Sequence, residues 1–442
     1  MTTSCRERSI LATSMPYLIT MKRVLLFSIF LLCSLVATDA SADSRPNVLL
    51  IIADDLGYEA LGSYGGTDFE TPRLDAFAGQ STRLTRFYGS AVCTPSRMSL
   101  YTGKYVINHG YRSVLPVHQG TKQSVDFSKL KTLPESFRKA GYRTATTGKW
   151  QLAALEHHPH HIRSGGFDSW CVWQIWRNGA KTTRYIDPCF NKDGKILDDI
   201  SDRFGPDVLG EYVINEMKIG AKTGQPFYIH HNMMLPHWPI IATPDDRAAG
   251  REEGSLASMI HYMDKKIGEL FDALDELELT ENTWVIFIGD NGTDSKKPRS
   301  TDHGTVTGGK HYLVEGGIHL PALIRGPGMT EAAVFDDLVD IADFYPTICE
   351  LANVPAPDPA TIDGVSCARQ LRGESKSPAR NFVTAAYGGD DCVFDGEWRL
   401  HRKGDALWDC RNLPKEILVE TATEESETAR ARLAEIRESI KK

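Results

Sequence analysis

The sequence predicts an α/β fold: a large mixed, mostly parallel sheet sandwiched by helices, with a small C-terminal α+β subdomain. Three observations lead there. First, apolar runs of strand length recur, and each closes on polar residues: NVLLIIADD (47–55), YRTATTGK (142–149), PFYIHHNM (226–233) and TWVIFIGDNG (283–292). Second, helical patterns lie between them. The clearest, 255–277, repeats Leu256, Met259, Ile260, Met263, Ile267, Leu270, Phe271 and Leu274 on one face, as a core helix does. Strands alternating with helices imply a largely parallel sheet with helices on both sides. Third, the text changes after residue 354. A stretch rich in Pro, Gly and Ser (355–380) reads as a linker or surface loop. Short strand-like pieces follow, FVTAAY and EWRLHRK, and then a charged helical tail at 421–442.

The N-terminus reads as a signal peptide over 1–42. Lys22 and Arg23 form the charged region, Val24 to Ala37 the apolar one, and Ala40-Ser41-Ala42 the cleavage site. The apolar run falls short of the about 20 residues a stable membrane span needs, so export to the periplasm or medium is expected; an N-terminal anchor is the alternative. Cleavage would take the net charge from −8 to −10. So acidic a chain is unsuited to non-specific nucleic-acid binding, and an anionic substrate would have to be held by local cations or a metal. Of nine cysteines, seven remain after cleavage. Setting Cys93 aside leaves an even number, which an oxidising compartment could join in up to three disulfides. The pairs nearest in sequence are Cys171–Cys189 and Cys392–Cys410.

In sheets of this kind ligands bind beyond the carboxyl ends of the strands, so the polar closing residues become candidates for one site. Asp54, Asp55, Asp290 and Asn291 offer only oxygen, which suits calcium or magnesium and does not select zinc. Taken singly, DDLG and DNG are also common turn sequences. Lys149 closes one strand, His237 follows another, and Lys310 lies in the glycine-rich GGKHYLVEGG (308–317). Cys93 opens a helical stretch with Pro95 in its first turn and Arg97 beside it, a positive field that favours an anion. For a lone cysteine, a core position or half a disulfide would be the plainer reading.

Taken together, these blocks resemble the type I, formylglycine-dependent sulfatases of the alkaline phosphatase superfamily. Cys93-Thr94-Pro95-Ser96-Arg97 looks like the C-x-P-S-R signature whose cysteine is oxidised to formylglycine. RPNVLLIIADDLGYEALGSYGG, TPRLDAFA, TGKW, PHWP, GDNG and GGKHYLVEGGIHLPALIRGPG follow in the family's order, with a weaker echo at ALWDCRNLPKE (406–416). The resemblance implies a catalytic domain over 43–354, with 355–442 as linker and small C-terminal subdomain. It implies a sulfuric ester hydrolase acting on an organic sulfate, expected to be a sulfated small molecule or glycan, and a formylglycine-generating or equivalent maturation enzyme as partner.

By the same resemblance Asp54, Asp55, Asp290, Asn291 and the oxidised Cys93 ligate one divalent cation, calcium before magnesium. Arg97 stabilises the formylglycine oxygens or the metal-bound end of the site, Lys149 and Lys310 hold the sulfate oxygens, and His237 with Lys310 protonates the leaving alcohol. The hydrated aldehyde supplies the nucleophilic oxygen, and sulfate leaves by elimination from the second hydroxyl.

One position departs from the family. Where it usually reads G-K-W-H, this chain has Gly148-Lys149-Trp150-Gln151. That histidine assists the elimination, and glutamine cannot act as a base near neutral pH. Two alternatives therefore stand beside sulfate hydrolysis: a phosphonate or phosphate monoester hydrolase of the same superfamily, and an inactive glycan-binding homologue. The nearby EHHPHH (156–161) is expected to be an exposed loop.

Overall fold

The computed structural model describes residues 45–441, so the segment read as a signal peptide lies outside the described residues. Strand β1 (Asn47–Asp54) is buried along its whole length. Its side chains alternate between two cores: Leu49, Ile51 and Ala53 on one face of the sheet, Val48, Leu50 and Ile52 on the other. A strand buried on both faces reads as a continuous apolar run, which is why the sequence shows no alternation there.

Nine more strands complete the sheet: β2 (Thr82–Leu84), β3 (Arg143–Gly148), β4 (Ser169–Trp173), β5 (Phe190–Lys192), β6 (Lys195–Ile196), β7 (Phe227–Pro236), β8 (Thr283–Gly289), β9 (Ala322–Arg325) and β10 (Ala333–Phe335). Their order is β10-β2-β9-β8-β1-β7-β3-β4-β5-β6. The central run from β8 to β4 is parallel, while β9 and β5 join it antiparallel. This is the mixed, mostly parallel sheet that the alternating pattern predicts.

Helices cover both faces. On the side of Leu49 lie α3 (Gly205–Thr223) and α4 (Leu256–Glu276). Helix α4 begins at the capping box of Ser255 and buries Met259, Ile260, Met263, Ile267, Leu270 and Leu274; Leu256 and Phe271 are only partly buried at its rim. Against the opposite face pack α1 (Cys93–Thr102), α2 (Leu133–Lys139) and α5 (Phe344–Leu351).

The segment 355–380 runs largely on the surface, as the sequence suggests, but is anchored: Ile362, Cys367 and Ala368 join the same core, and the Asp363 and Gly364 amides donate to the Gly103 carbonyl at the end of α1. Beyond it a five-stranded antiparallel sheet runs from β11 (Val383–Tyr387) through β12 (Asp390–Phe394), β13 (Trp398–His401) and β14 (Leu407–Asn412) to β15 (Lys415–Leu418). Helix α6 (Glu424–Ser439) packs on it through Ala429 and Leu433. Glu416, in the echo at 406–416, accepts the Glu315 amide at 3.1 Å and pairs with the buried Arg399. That contact ties the C-terminal sheet to the end of the loop carrying Lys310.

Two expectations change. None of the seven described cysteines forms a disulfide. Cys171, Cys349, Cys367, Cys392 and Cys410 are instead small apolar side chains inside the cores, and burial raises the thiol of each above its ordinary value. In the histidine cluster His157 and His160 are exposed, as expected, but His161 is buried. Its Nδ1 accepts from the Trp150 indole at 3.2 Å and its Nε2 meets the Val125 carbonyl at 2.8 Å. That pair of partners demands the neutral ring protonated on Nε2.

Burial pushes the His161 imidazole down to about 4. The unfolded chain therefore binds a proton at this position below pH 6.5 that the folded chain refuses, and stability falls as pH drops from 6.5 towards 4. Between pH 7.5 and 5 this one residue should cost about 2 kcal/mol. His161→Gln should flatten the melting temperature against pH over that range by the corresponding amount. Calorimetric profiles of equal slope for the two proteins would show that His161 titrates like a free histidine.

Candidate active site

Strand register assembles the site. Ala53 lies opposite Gly289, Asp54 opposite Pro236, and Gly148 opposite Asn232. β1, β8, β7 and β3 therefore end level, and the next residues of each face one another: Asp54 and Asp55, Asp290 and Asn291, His237, and Lys149. Gly148 turns the chain at φ +83°, and a Cβ there would lie 1.8 Å from the Asn232 carbonyl oxygen. Only glycine permits that approach. Asp55 itself takes the left-handed conformation at φ 67°, and its amide donates to Asp290 Oδ1 at 3.1 Å.

Cys93 is the first residue of α1 and only 2% exposed. The turn before it is pinned by Ser96, whose hydroxyl accepts the Ser90 amide at 2.8 Å and donates to the Ser90 carbonyl at 3.1 Å. Cys93, Asp54 and Asp290 bring one ligand atom each to within 4.8 Å of one another, and so do Asp54, Asp55 and His237. Burial raises the Cys93 thiol, and the nearby Asp54 and Asp290 add to that against the pull of Lys149 and Arg97. An unmodified cysteine here is a protonated thiol and a weak nucleophile.

Three buried carboxylates this close require cations, and the structure supplies them. Lys149 Nζ contacts both Asp54 oxygens, at 2.7 and 2.8 Å. Lys310 Nζ lies 2.6 Å from Asp55 Oδ2 and 3.4 Å from His237 Nε2. Arg97 donates to Asp290 Oδ2 at 2.8 Å, to the Asn232 amide oxygen, and lies 3.5 Å from Asp54. Burial alone would raise Asp54, but Lys149, His237, Arg97 and Arg184 outweigh it and hold the carboxyl well below the usual range. Asp290 goes the other way, to about 6, because burial and the charge of Asp54 exceed the pull of Arg97. Burial brings His237 down to about 4 against the attraction of Asp54 and Asp55.

The donor set fits a hard divalent cation. Asn291 uses its amide nitrogen on Asp55 Oδ1 at 2.9 Å, and its buried Oδ1 has no hydrogen-bond partner. An orphaned carbonyl-type oxygen beside three carboxylates is what an oxygen-coordinated cation would satisfy.

All of the residues singled out in the sequence thus converge, and two groups appear that the sequence did not single out. Arg184, 5% exposed, places Nη1 3.9 Å from Asp54 and Nη2 2.6 Å from His237 Nδ1. Asn232 holds Arg97 while donating to Thr146 Oγ1 and the Thr147 carbonyl. Asn232 was visible as a polar residue near the end of a strand run. Arg184 sits in a loop after a hairpin, and no local pattern marks it. Gln151 Oε1 lies 3.9 Å from Cys93 Sγ, in the place of the expected histidine. Above these groups opens a cleft of about 550 Å³ lined by Cys93, Gln151, Trp173, Arg184, Trp238 and Lys310 among others.

A mostly parallel sheet with a buried oxygen-rich centre beyond its strand ends defines an α/β protein that binds its ligand at that edge. The sulfatase family profile matches residues 46–354, and the chain belongs to that family of sulfuric ester hydrolases. Human N-acetylgalactosamine-6-sulfatase is 29% identical over 350 residues, covering 74% of this chain and 66% of that enzyme. Bovine arylsulfatase A is 30% identical over 399 residues, covering 83% and 76% respectively. The crystal structure of Ps i-CgsB shares the fold with a TM-score of 0.75 at 22% identity, over 89% of this chain and 92% of that one.

The site predicts cation-dependent stability. Millimolar calcium added to chelator-treated protein should raise its melting temperature by several degrees, and Asn291→Ala or Asp55→Asn should remove most of that rise. A melting temperature unmoved by calcium and by magnesium would count against the site.

Proposed function

We propose that the protein removes sulfate from a sulfated carbohydrate, using formylglycine made from Cys93 and one divalent cation. The observation that carries this reading is the Cys93-Thr94-Pro95-Ser96-Arg97 segment, set at a helix start within ligand distance of Asp54 and Asp290. Asp54, Asp55, Asp290 and Asn291 would hold the cation, with the modified residue 93 completing the set. Calcium fits better than magnesium, because magnesium usually retains several waters and these ligands are 0–2% exposed. The cation and the hydrated aldehyde together supply an oxygen nucleophile whose proton is readily lost.

The chain's own side chains do the rest. Lys149 and Lys310 point ammonium groups at the carboxylate centre and are placed to hold the sulfate oxygens there. Arg97, locked on Asp290 and Asn232, keeps the metal ligands oriented. His237 presents Nε2 beside Lys310, and an incoming sulfate raises the imidazole's affinity for a proton, which it gives to the leaving alcohol oxygen. Gln151 contributes a hydrogen bond and no proton transfer. The carbohydrate part of the reading is supported by the names of the relatives and by Trp173 and Trp238 in the cleft, apolar surfaces suited to a sugar face. The signal-like segment supports export, and oxidation of Cys93 calls for a maturation enzyme in the host.

The test is hydrolysis of 4-nitrophenyl sulfate by protein whose residue 93 is shown by mass spectrometry to be converted. Cys93→Ala should abolish turnover, and His237→Ala should lower it about 10²–10⁴-fold. Faster cleavage of an aryl phosphonate monoester would favour the phosphonate hydrolase, and converted protein inert to every ester would favour a binding protein.

Gln151→His should keep or raise the steady-state rate. A severe loss in that variant would show that Gln151 has its own role, in contacting substrate.

A further inference from the structure

The chain is acidic overall, yet the residues lining the cleft above the reaction centre include Lys181, Arg184, Lys310 and three histidines, and no carboxylate. A second hollow of about 300 Å³ shares Trp173, Lys181, Arg184 and Pro239 with the first, and its lining also holds no carboxylate. The acids of the reaction centre account for Lys310 and for one edge of Arg184. They do not account for Lys181.

Lys181 stands on a built wall. Trp173 ends β4, and its indole donates to Thr182 Oγ1 at 2.8 Å, while the Thr182 hydroxyl donates to the Gln174 carbonyl at 2.6 Å. The hairpin that delivers Lys181 pairs Trp176–Arg177 with Ala180–Lys181 and turns at Asn178 and Gly179, both with positive φ. The Glu156 carboxylate holds that turn by accepting the Asn178 amide at 3.1 Å. Over the fixed Trp173 ring lie the Arg184 guanidinium, 4.8 Å from its centre, and the Lys181 ammonium, 6.0 Å away. Partial burial, with the charge of Arg184 beside it, lowers the Lys181 ammonium below its ordinary value. Two cations thus lie within 6.0 Å of the centre of one indole, and no ion pair joins Lys181 to a carboxylate among the described residues. Arg184 bridges this wall to the reaction centre.

We infer that Lys181 and Arg184 beside Trp173 form a subsite for a second anionic group on the saccharide whose sulfate is cleaved, a sulfate on the same sugar or a carboxylate on its neighbour. The inference rests on the sulfatase reading and narrows its substrate class to sugars with at least two negative charges. Lys181 acts as a specificity residue, meeting the remote anion and not the scissile ester. Arg184 spans both, and the proposal is tested on Lys181 for that reason.

The experiment uses calcium-loaded Cys93→Ser protein, which binds without the aldehyde, and reads affinity by calorimetry. The probes are N-acetylgalactosamine 6-sulfate, its 4,6-disulfate, and the disaccharide of glucuronate with N-acetylgalactosamine 6-sulfate. At least one doubly charged probe should bind about tenfold tighter than the monosulfate, the low end for hydrogen bonds to a charged group. Lys181→Met, which keeps the aliphatic stem, should reduce that advantage to within about twofold, and 0.5 M salt should compress it. Preference for the disulfate identifies the second anion as sulfate, and preference for the disaccharide as carboxylate. Equal affinity for all three, binding of none, or an advantage that survives Lys181→Met overturns the subsite. Hydrolysis of 4-nitrophenyl sulfate by the converted wild type tests the sulfatase reading separately, since that ester carries no second charge.

Discussion

Three aspartates buried within a few ångströms of one another are the constraint around which the molecule is arranged. Asp54, Asp55 and Asp290 are all 0–2% exposed, where an unpaired carboxylate is strongly disfavoured. Their tolerance depends on Arg97, Lys149, Lys310 and Arg184, each delivered by a different part of the chain: a helix start, a strand end, a glycine-rich loop and a post-hairpin loop. Four cations meet these three acids and Asp294, 3.4 Å from Lys310, so a bound divalent ion would turn the centre positive, the field an anionic ester meets. Removing a cation would shift more of the cost of burial onto these acids, so the site's charges and the local fold are coupled.

The sheet makes this concentration of charge feasible. Parallel strands in register end at the same level, and their carboxyl ends deliver side chains to one point without any loop having to reach far. The cores on both faces, with α3 and α4 on one side and α1, α2 and α5 on the other, hold that register. Above the charged floor the walls change character. Trp173, Trp238, Lys181 and Gln151 come from loops and strand ends around the rim. The charged floor comes from strand ends and the mixed rim from the segments around them, so the two can vary separately.

Much of this was legible in the sequence because it is local. An apolar run closing on Asp-Asp, a helix with its apolar residues three and four apart, and Cys-Thr-Pro-Ser-Arg at a helix start are patterns within a few residues of one another. The strands at 47–55, 142–149, 226–233 and 283–292 and the helix at 255–277 all appear with ends shifted by at most three residues. What was not legible depends on neighbours distant in sequence. Cys392 and Cys410 sit in one core cluster and remain thiols, and spacing carries no information about that. His161 shares a run with His157 and His160 but alone turns inward, because Trp150 and Val125 offer partners for both of its nitrogens.

By itself, then, the sequence determined the order of strands and helices, the residue types at each strand end, and the cysteine at the head of its helix. These follow from periodicity, capping and turn chemistry, which act over a few residues. Only the tertiary structure decided that Arg184 bridges Asp54 and His237, that Asn291 keeps one oxygen without a partner among the described residues, and that Lys181 lies beside Trp173 with no ion pair to a described carboxylate. Those are outcomes of which buried charge finds which partner, a question of distance and desolvation across the whole chain, and no local pattern encodes them.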